Sequence, residues 1–191
     1  LIRNHGESVV GPAGYKDIMN IAGFNYRLSE IHAAIAREQL KKLDGLNSIR
    51  LELIEELSSG LKNYPFLSIP LNNEISQSTY YVYPLKFLES ETNINREQFV
   101  EAINKEGCCF FQGYVKPLYL QPIYQNKMLY KHGYPFTAIE NRECYVNYDK
   151  GLCPNAEELH FKRMIINEHI RYPHTSKDIK DILNSIHKVV S

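Results

Sequence analysis

Apolar side chains recur at intervals of three and four from Ile31, Ala34 and Ile35 through Leu43, Leu46, Ile49, Leu53 and Leu57 to Leu61. That is the period of an α-helix with one buried stripe, and it predicts one long helix or one broken once, at Gly45. Lys41, Lys42, Arg50, Glu52, Glu55 and Glu56 fall mainly on the other face and read as solvated surface. Ser29 is placed to cap the helix, because its hydroxyl can accept from a backbone N–H that the first turn leaves unpaired, and Leu28 can staple onto that turn. Tyr64-Pro65 stops it, since the residue before proline is pushed away from the helical region.

The polar run Asn25-Tyr26-Arg27 is thereby fixed beside a helix start. An amide, a phenol and a guanidinium in three residues form a donor-rich surface suited to a phosphate or another anion. The same residues also read as a solvated loop with Tyr26 half-buried. Upstream, Gly6, Gly11, Pro12 and Gly14 break any regular period over residues 1–22, which predicts a long irregular connection. Such loops are usually functional or pinned by another chain.

Beyond the helix the pattern alternates. Residues 78–87 are rich in Thr, Tyr and Val and predict a strand region. Asn95-x-x-Gln98 is an Asn-led capping box before the stripe Phe99, Val100 and Ile103, and Gly107 stands where a left-handed residue ends a helix. Residues 108–111 read as the next strand. The stretch 113–134 carries Tyr114, Tyr119, Tyr124, Tyr130 and Tyr134 between prolines and glycines. Aromatic rings with polar tips suit a sugar site or an interface, although most of these tyrosines are expected to pack the loop onto the core. Pro154 suits a first helical turn before the helix-prone residues 156–164. Ile165, Ile166 and Ile170 return to strand, and Thr175-x-x-Asp178 opens a last helix with Ile179, Ile182, Leu183, Ile186, Val189 and Val190 on one side. The order of elements predicts an α/β domain, a small sheet covered by helices on one face.

Composition narrows the function classes. With 191 residues, 43% of them apolar, the chain can form one large or two small domains. Lys plus Arg and Asp plus Glu number 22 each, so no net field attracts nucleic acid or an anionic membrane, and any phosphate recognition is local. Apolar runs are short of a bilayer span, there is no charged-then-apolar leader, and a cytoplasmic protein is the default expectation. Cys108, Cys109, Cys144 and Cys153 contain no C-x-x-C pair and are expected as reduced thiols filling core space. The seven histidines show no helical zinc spacing, so no metal is predicted.

Four ordered blocks carry a resemblance: Gly23-Phe24-Asn25-Tyr26-Arg27-Leu28-Ser29-Glu30, flanked by Arg3-Asn4-His5-Gly6 and Gln39-Leu40-x-x-Leu43-Asp44; Ser78-Thr79-Tyr80-Tyr81-Val82-Tyr83; Pro117-Leu118-Tyr119-x-x-Pro122-x-Tyr124; and Cys153-Pro154-x-Ala156-Glu157-x-Leu159. Together they resemble the DegT/DnrJ/EryC1/StrS sugar aminotransferases. These are enzymes that use pyridoxal 5′-phosphate (PLP) to convert keto-sugars, usually carried on a nucleotide, into amino sugars. The resemblance implies the C-terminal part of a fold-type I PLP-dependent aminotransferase. Residues 1–44 would be the end of the large PLP domain, with a dimer-interface loop and the start of a connecting helix. Residues 45–191 would be the small α/β domain.

The chain begins Leu-Ile-Arg-Asn-His-Gly and not with Met, which is expected of the back part of a longer protein whose cofactor-lysine domain lies elsewhere. None of its lysines has the Ser-x-His-x-x-Lys context of the family, Lys116 reads as loop surface, and no catalytic residue is assigned. By resemblance, the Asn25 amide reaches across a twofold homodimer interface to the cofactor phosphate. His5, Tyr26, Arg27, Tyr114 and Tyr119 are implied to contact substrate. Tyr119, His32 and Ala36 depart from the family pattern, which often has histidine, glutamine and glycine there. The expected activity of the parent protein is transfer of an amino group, with glutamate as donor, to a keto-sugar nucleotide for cell-surface polysaccharide, this chain alone being inactive. A competing expectation is a stand-alone binding or dimerisation module that kept the fold without catalysis.

Overall fold

The helical period is realised without interruption: in the computed structural model, which describes residues 2–3, 22–70, 78–144 and 146–191, helix α1 runs Glu30–Leu61. It passes straight through Gly45, so of the two expected forms the unbroken helix is the one realised. A glycine costs a helix about 1 kcal/mol relative to alanine, too little to end one this long. Ser29 caps the helix, its Oγ accepting from the His32 N–H at 3.3 Å and meeting His32 Nδ1 at 2.8 Å. Leu28 stays exposed and forms no staple.

The chain divides into two compact units, Leu1–Gly45 and Leu46–Ser191. In the first, Ile31, Ile35, Leu40 and Leu43 of α1 are all exposed. Every buried residue of α1 lies in the second, where Leu53, Ile54, Leu57 and Leu61 form one wall of the core.

The second unit is built on a four-stranded antiparallel sheet in the order β1-β2-β4-β3, with β1 Leu67–Ser68, β2 Tyr83–Phe87, β3 Phe111–Gln112 and β4 Met164–Asn167. The strands are shorter than the apolar runs suggested: residues 78–82 and 108–110 are irregular. β2 buries Tyr83, Leu85 and Phe87 and turns Lys86 to solvent, so one face of the strand meets the core. Pro84 sits in this inner strand at no cost to the ladder. The Leu88 N–H donates to Phe66 O on the β1 side, and by alternation position 84 points the same way, beyond where β1 ends. Rings of Phe66, Phe87 and Phe99 pack mutually at 5.4 to 5.6 Å, joining β1 and β2 to helix α2, Arg96–Lys105.

α2 is capped as its sequence requires: Asn95 Oδ1 accepts the Gln98 N–H at 2.8 Å and Gln98 Oε1 accepts the Asn95 N–H at 3.0 Å. Gly107 closes it at φ 92°. The last helix, α5 Ser176–Val190, opens on the Thr175 and Asp178 pair, whose N–H and carboxylate lie 2.8 Å apart. Between β3 and β4 the chain forms the short helices α3 Pro122–Gln125 and α4 Pro154–Glu158, and α4 widens into a π turn over Leu159–Arg163.

Two sequence expectations hold only in part on burial. Cys108 is half-buried and packs against the core, whereas Cys109, Cys144 and Cys153 are exposed free thiols, so the expectation holds for Cys108 and fails for the other three. Tyr119 packs inward and Tyr124 is half-buried against Phe136 and Tyr148, but Tyr114, Tyr130 and Tyr134 are exposed.

The π turn leaves carbonyls without helical partners, and Arg96 takes them. Its Nη1 donates to His160 O at 3.0 Å and Met164 O at 3.1 Å, and its Nη2 to Phe161 O at 2.6 Å. Arg96→Ala removes three charge-assisted bonds and is expected to destabilise the unit by about 3 kcal/mol, read as a lower urea midpoint. Arg96→Lys should recover only part, since an ammonium lacks the planar fork.

Candidate functional site

Residues 22–29 run extended, and the backbone pairs with the chain start: the Phe24 N–H donates to Ile2 O at 2.8 Å and the Tyr26 N–H to Arg3 O at 2.9 Å. In extended chain, alternate side chains face opposite ways. Phe24 and Tyr26 therefore stack on one side, ring centroids 5.2 Å apart at 18°. Asn25 and Arg27 share the other, where the Arg27 Nε–H donates to Asn25 Oδ1 at 3.1 Å. That bond fixes the amide's orientation: the oxygen faces the guanidinium and the Nδ2 hydrogens face away from it. The three-residue donor cluster read from the sequence is thus two surfaces, an Asn25 and Arg27 donor pair and an exposed aromatic pair.

This pair fits an oxyanion such as a phosphate, which accepts hydrogen bonds and donates none when fully ionised. The amine needed to anchor a PLP cofactor covalently is a different matter. No lysine among the described residues is buried, and a lysine with that task needs a desolvated, fixed position. Among the described residues, no group of three His, Cys, Asp or Glu side chains could hold a metal ion, and no helix is long and apolar enough to cross a membrane.

The other candidates lie in the second unit, except His5, which falls outside the described residues. Tyr114 is half exposed and follows Gly113, whose φ of 67° turns the chain out of β3. The turn is held by the Gly113 N–H donating to Met164 O at 2.6 Å and the Tyr114 N–H to His160 Nδ1 at 3.4 Å. An added Cβ at Gly113 would stand 2.8 Å from the His160 carbonyl oxygen. Burial, with Arg96 and Lys116 nearby, holds the His160 imidazole below its usual range, which keeps Nδ1 an acceptor. The nearby Tyr81 hydroxyl pushes the Tyr114 phenol up, with burial and Glu168 adding to it.

Tyr119 is presented differently. It is buried, its hydroxyl donates to Glu157 Oε1, and the same carboxylate oxygen accepts the Gly151 N–H at 2.5 Å. Gln125 Nε2 ties the neighbouring backbone, donating to Tyr119 O at 2.8 Å and Tyr148 O at 2.7 Å. Burial and the bond to Glu157 push the Tyr119 phenol up to about 12, while the Tyr119 hydroxyl and the Gly151 N–H hold the Glu157 carboxyl below its ordinary range. Sequence reasoning missed Arg96, Glu157 and Tyr81. Glu157 and Tyr81 had a visible signal, as residues of the fourth and second matching blocks, and Arg96 had none.

A long helix leading to a small antiparallel sheet flanked by helices defines the class: the C-terminal architecture of a PLP-dependent aminotransferase. The family follows from the sequence match. Residues 1–157 match the model of the DegT/DnrJ/EryC1/StrS aminotransferase family, and the chain belongs to that family. It is 25% identical over 169 residues to an uncharacterised protein of Methanocaldococcus jannaschii, the match covering 88% of this chain and 38% of that protein. An aminotransferase of Psychrobacter cryohalolentis shares the fold with a TM-score of 0.74 at 19% identity, over 98% of this chain and 47% of its own. A candidate sugar aminotransferase of Streptococcus pneumoniae, solved in its PLP form, superposes with a TM-score of 0.64 at 17% identity, over 100% of this chain and 43% of its own. The chain thus spans less than half the length of each of these relatives.

The buried phenols generate a pH test. Tyr83, pushed up to about 12 by burial although Ser58 bonds it at 2.6 Å, behaves like Tyr119. Both are raised from an ordinary value of 10.0, so their contribution to stability is complete below pH 10 and is lost as pH rises towards about 12. The urea midpoint should fall across that window, less steeply in Tyr119→Phe. Near-ultraviolet absorbance should show a smaller late phenolate step in that variant.

Proposed function

We propose that this chain forms one half of a shared active site in a PLP-dependent sugar aminotransferase. The observation that carries the reading is the Asn25 and Arg27 pair, two donors locked together at 3.1 Å at the start of a capped helix, in a chain of this family. In a homodimer with twofold symmetry, the loop of one protomer reaches the cofactor phosphate held by its partner. When bound, PLP supplies the electron sink that lets an amino group move between carbon skeletons.

The residues of this chain bind and orient. The Asn25 Nδ2 hydrogens donate to the phosphate, and the Arg27 guanidinium both fixes the Asn25 amide and adds positive charge. Tyr26, stacked on Phe24, presents a ring face and a hydroxyl beside the substrate. His5 and Tyr114 serve the substrate as well. Tyr119, its hydroxyl bonded to Glu157, supports the substrate region by holding the loop that carries it. The amino donor is glutamate and the acceptor a keto-sugar carried on a nucleotide, in cytoplasmic synthesis of amino sugars for cell-surface polysaccharide. On this reading the cofactor lysine comes from outside residues 1–191 and this chain alone is inactive.

The exposed apolar residues Ile31, Ile35, Leu40 and Leu43 favour this reading over a stand-alone module, since a helix so apolar calls for further protein against it. In the full-length enzyme, Asn25→Ala should weaken PLP retention about tenfold, the loss of roughly one charge-assisted hydrogen bond. The measurement is PLP absorbance retained through gel filtration and its dissociation constant, and unchanged affinity would remove Asn25 from the phosphate site.

A further inference from the structure

Asn167 ends β4 with only 3% of its surface exposed. It stands opposite Tyr83 in the sheet and on the face of Ile165 and Leu85, so its side chain points to the helices that cover the core. The His169 N–H donates to its Oδ1 at 2.8 Å, which fixes the amide and leaves Nδ2 as the other end. No acceptor among the described residues meets Nδ2. Yet no side-chain nitrogen of a described residue is sealed from solvent without a partner, so Nδ2 opens into the cavity that Asn167 lines. A donor placed so deep calls for an acceptor there.

The cavity, about 360 Å³, is bounded by the end of β4, the exit of α2 and one face of α5. Asp178, Asp181, Ile182 and Ser185 recur at three and four along α5 and therefore share that face. Each aspartate keeps one oxygen for a ligand. Asp178 Oδ2 accepts the Thr175 N–H and hydroxyl at 2.8 Å each, and Asp181 Oδ2 accepts from Lys177 Nζ at 2.8 Å, which leaves both Oδ1 atoms. Lys188 occupies both oxygens of Glu106, the third carboxylate of the lining. The Thr175 hydroxyl and N–H, with His174 nearby, hold the Asp178 carboxyl below its ordinary range, so it is ionised at neutral pH.

No three of these His, Cys, Asp and Glu side chains converge as a metal ion requires, so the two aspartates call for an organic cation. We propose that the cavity binds an amino sugar, its ammonium on the free oxygens of Asp178 and Asp181 and a neighbouring sugar oxygen accepting from Asn167 Nδ2. Small-molecule sites run from about 300 to 1,000 Å³, and one at the lower end suits a monosaccharide and not a sugar nucleotide. Ile170 and Ile182 give its C–H surface an apolar wall. An amino acid brings the same ammonium with a carboxylate beside it, which the two aspartates repel. The ammonium and its oxygen neighbour rest on the geometry. That the amine is a sugar rests on the sugar-aminotransferase reading, under which the enzyme here holds a compound of its product's class.

The test uses the full-length enzyme and reads the cavity locally, by hydrogen–deuterium exchange of peptides covering residues 104–109 and 174–185. The probes are glucosamine, N-acetylglucosamine and glutamate. Glucosamine should slow exchange in both segments, whereas N-acetylglucosamine, which lacks the ammonium, and glutamate should not. Asp181→Asn should shift the dose dependence of that protection about tenfold to higher glucosamine, the loss of one charge-assisted contact. Asn167→Leu, which removes the inner donor, should do the same. Far-ultraviolet circular dichroism checks both folds, and Asp181→Asn, at an exposed position, decides alone if Asn167→Leu does not fold. The site is overturned if glucosamine leaves both segments unchanged, if either control protects them equally, or if Asp181→Asn responds like the parent. None of these readouts depends on PLP retention, so a failed site leaves the Asn25 result standing. A failed Asn25 result likewise leaves the exchange data to be read on their own.

Discussion

The Arg96 guanidinium is the knot on which the second unit depends. It opens α2, yet its donors reach His160, Phe161 and Met164, where α4 widens into a π turn and passes into β4. Met164 O accepts a second bond, from the Gly113 N–H that ends β3. One planar group therefore sets where β4 begins, where β3 stops and how the Tyr114 turn leaves the sheet. Burial, set partly against the neighbouring Glu89 and Glu97, lowers the Arg96 pKa from its ordinary value. Arginine is still suited to that position, because it stays charged under such pressure and its fork serves several carbonyls at once. Lysine would offer a point charge and lose the simultaneous geometry.

The same logic of fixed donors separates the two surfaces of the loop before α1. Because Asn25 and Arg27 are two apart in extended chain, they share a side, and the guanidinium orients the amide before any ligand arrives. Pre-orientation matters because an amide free to flip offers its oxygen to an anion half the time and repels it. The Phe24 and Tyr26 rings, on the opposite side, can meet a different partner without disturbing the donor pair. The loop thus offers two chemically unlike surfaces at once, the arrangement that the proposed substrate beside a cofactor phosphate would use.

What the sequence disclosed follows the range of each interaction. The caps of α2 and α5 were legible because donor and acceptor lie three residues apart, and so was Ser29 before α1. The long helix was legible from its period. The two-residue strand β1 was not, since nothing in Leu67-Ser68 marks a strand until β2 pairs with it. Arg96 reads as an ordinary first-turn residue because its acceptors lie 64 to 68 residues away. Tyr80 and Tyr81 are chemically identical neighbours, and only the backbone twist tells the buried one from the displayed one. The Asn25-Tyr26-Arg27 donor cluster was legible from its motif, but the split of Asn25 and Arg27 from Tyr26 came from alternation along the chain that the sequence did not predict.

The exposed half of α1 ties these features to the proposed assembly. Ile31 and Leu40 are nine positions apart, which at about 100° per residue places them on opposite sides of the helix, and both are exposed. Ile35 and Leu43 lie between them, so apolar surface wraps about half of the circumference. A single packing surface covers a stripe, as the C-terminal half of α1 shows with Leu53, Ile54, Leu57 and Leu61. A helix apolar on opposite sides needs two surfaces. Under the proposed reading one is the remainder of its own enzyme and the other the second protomer. A helix wedged between them would hold the Asn25 loop at its start within reach of both, which is the position a shared cofactor site requires.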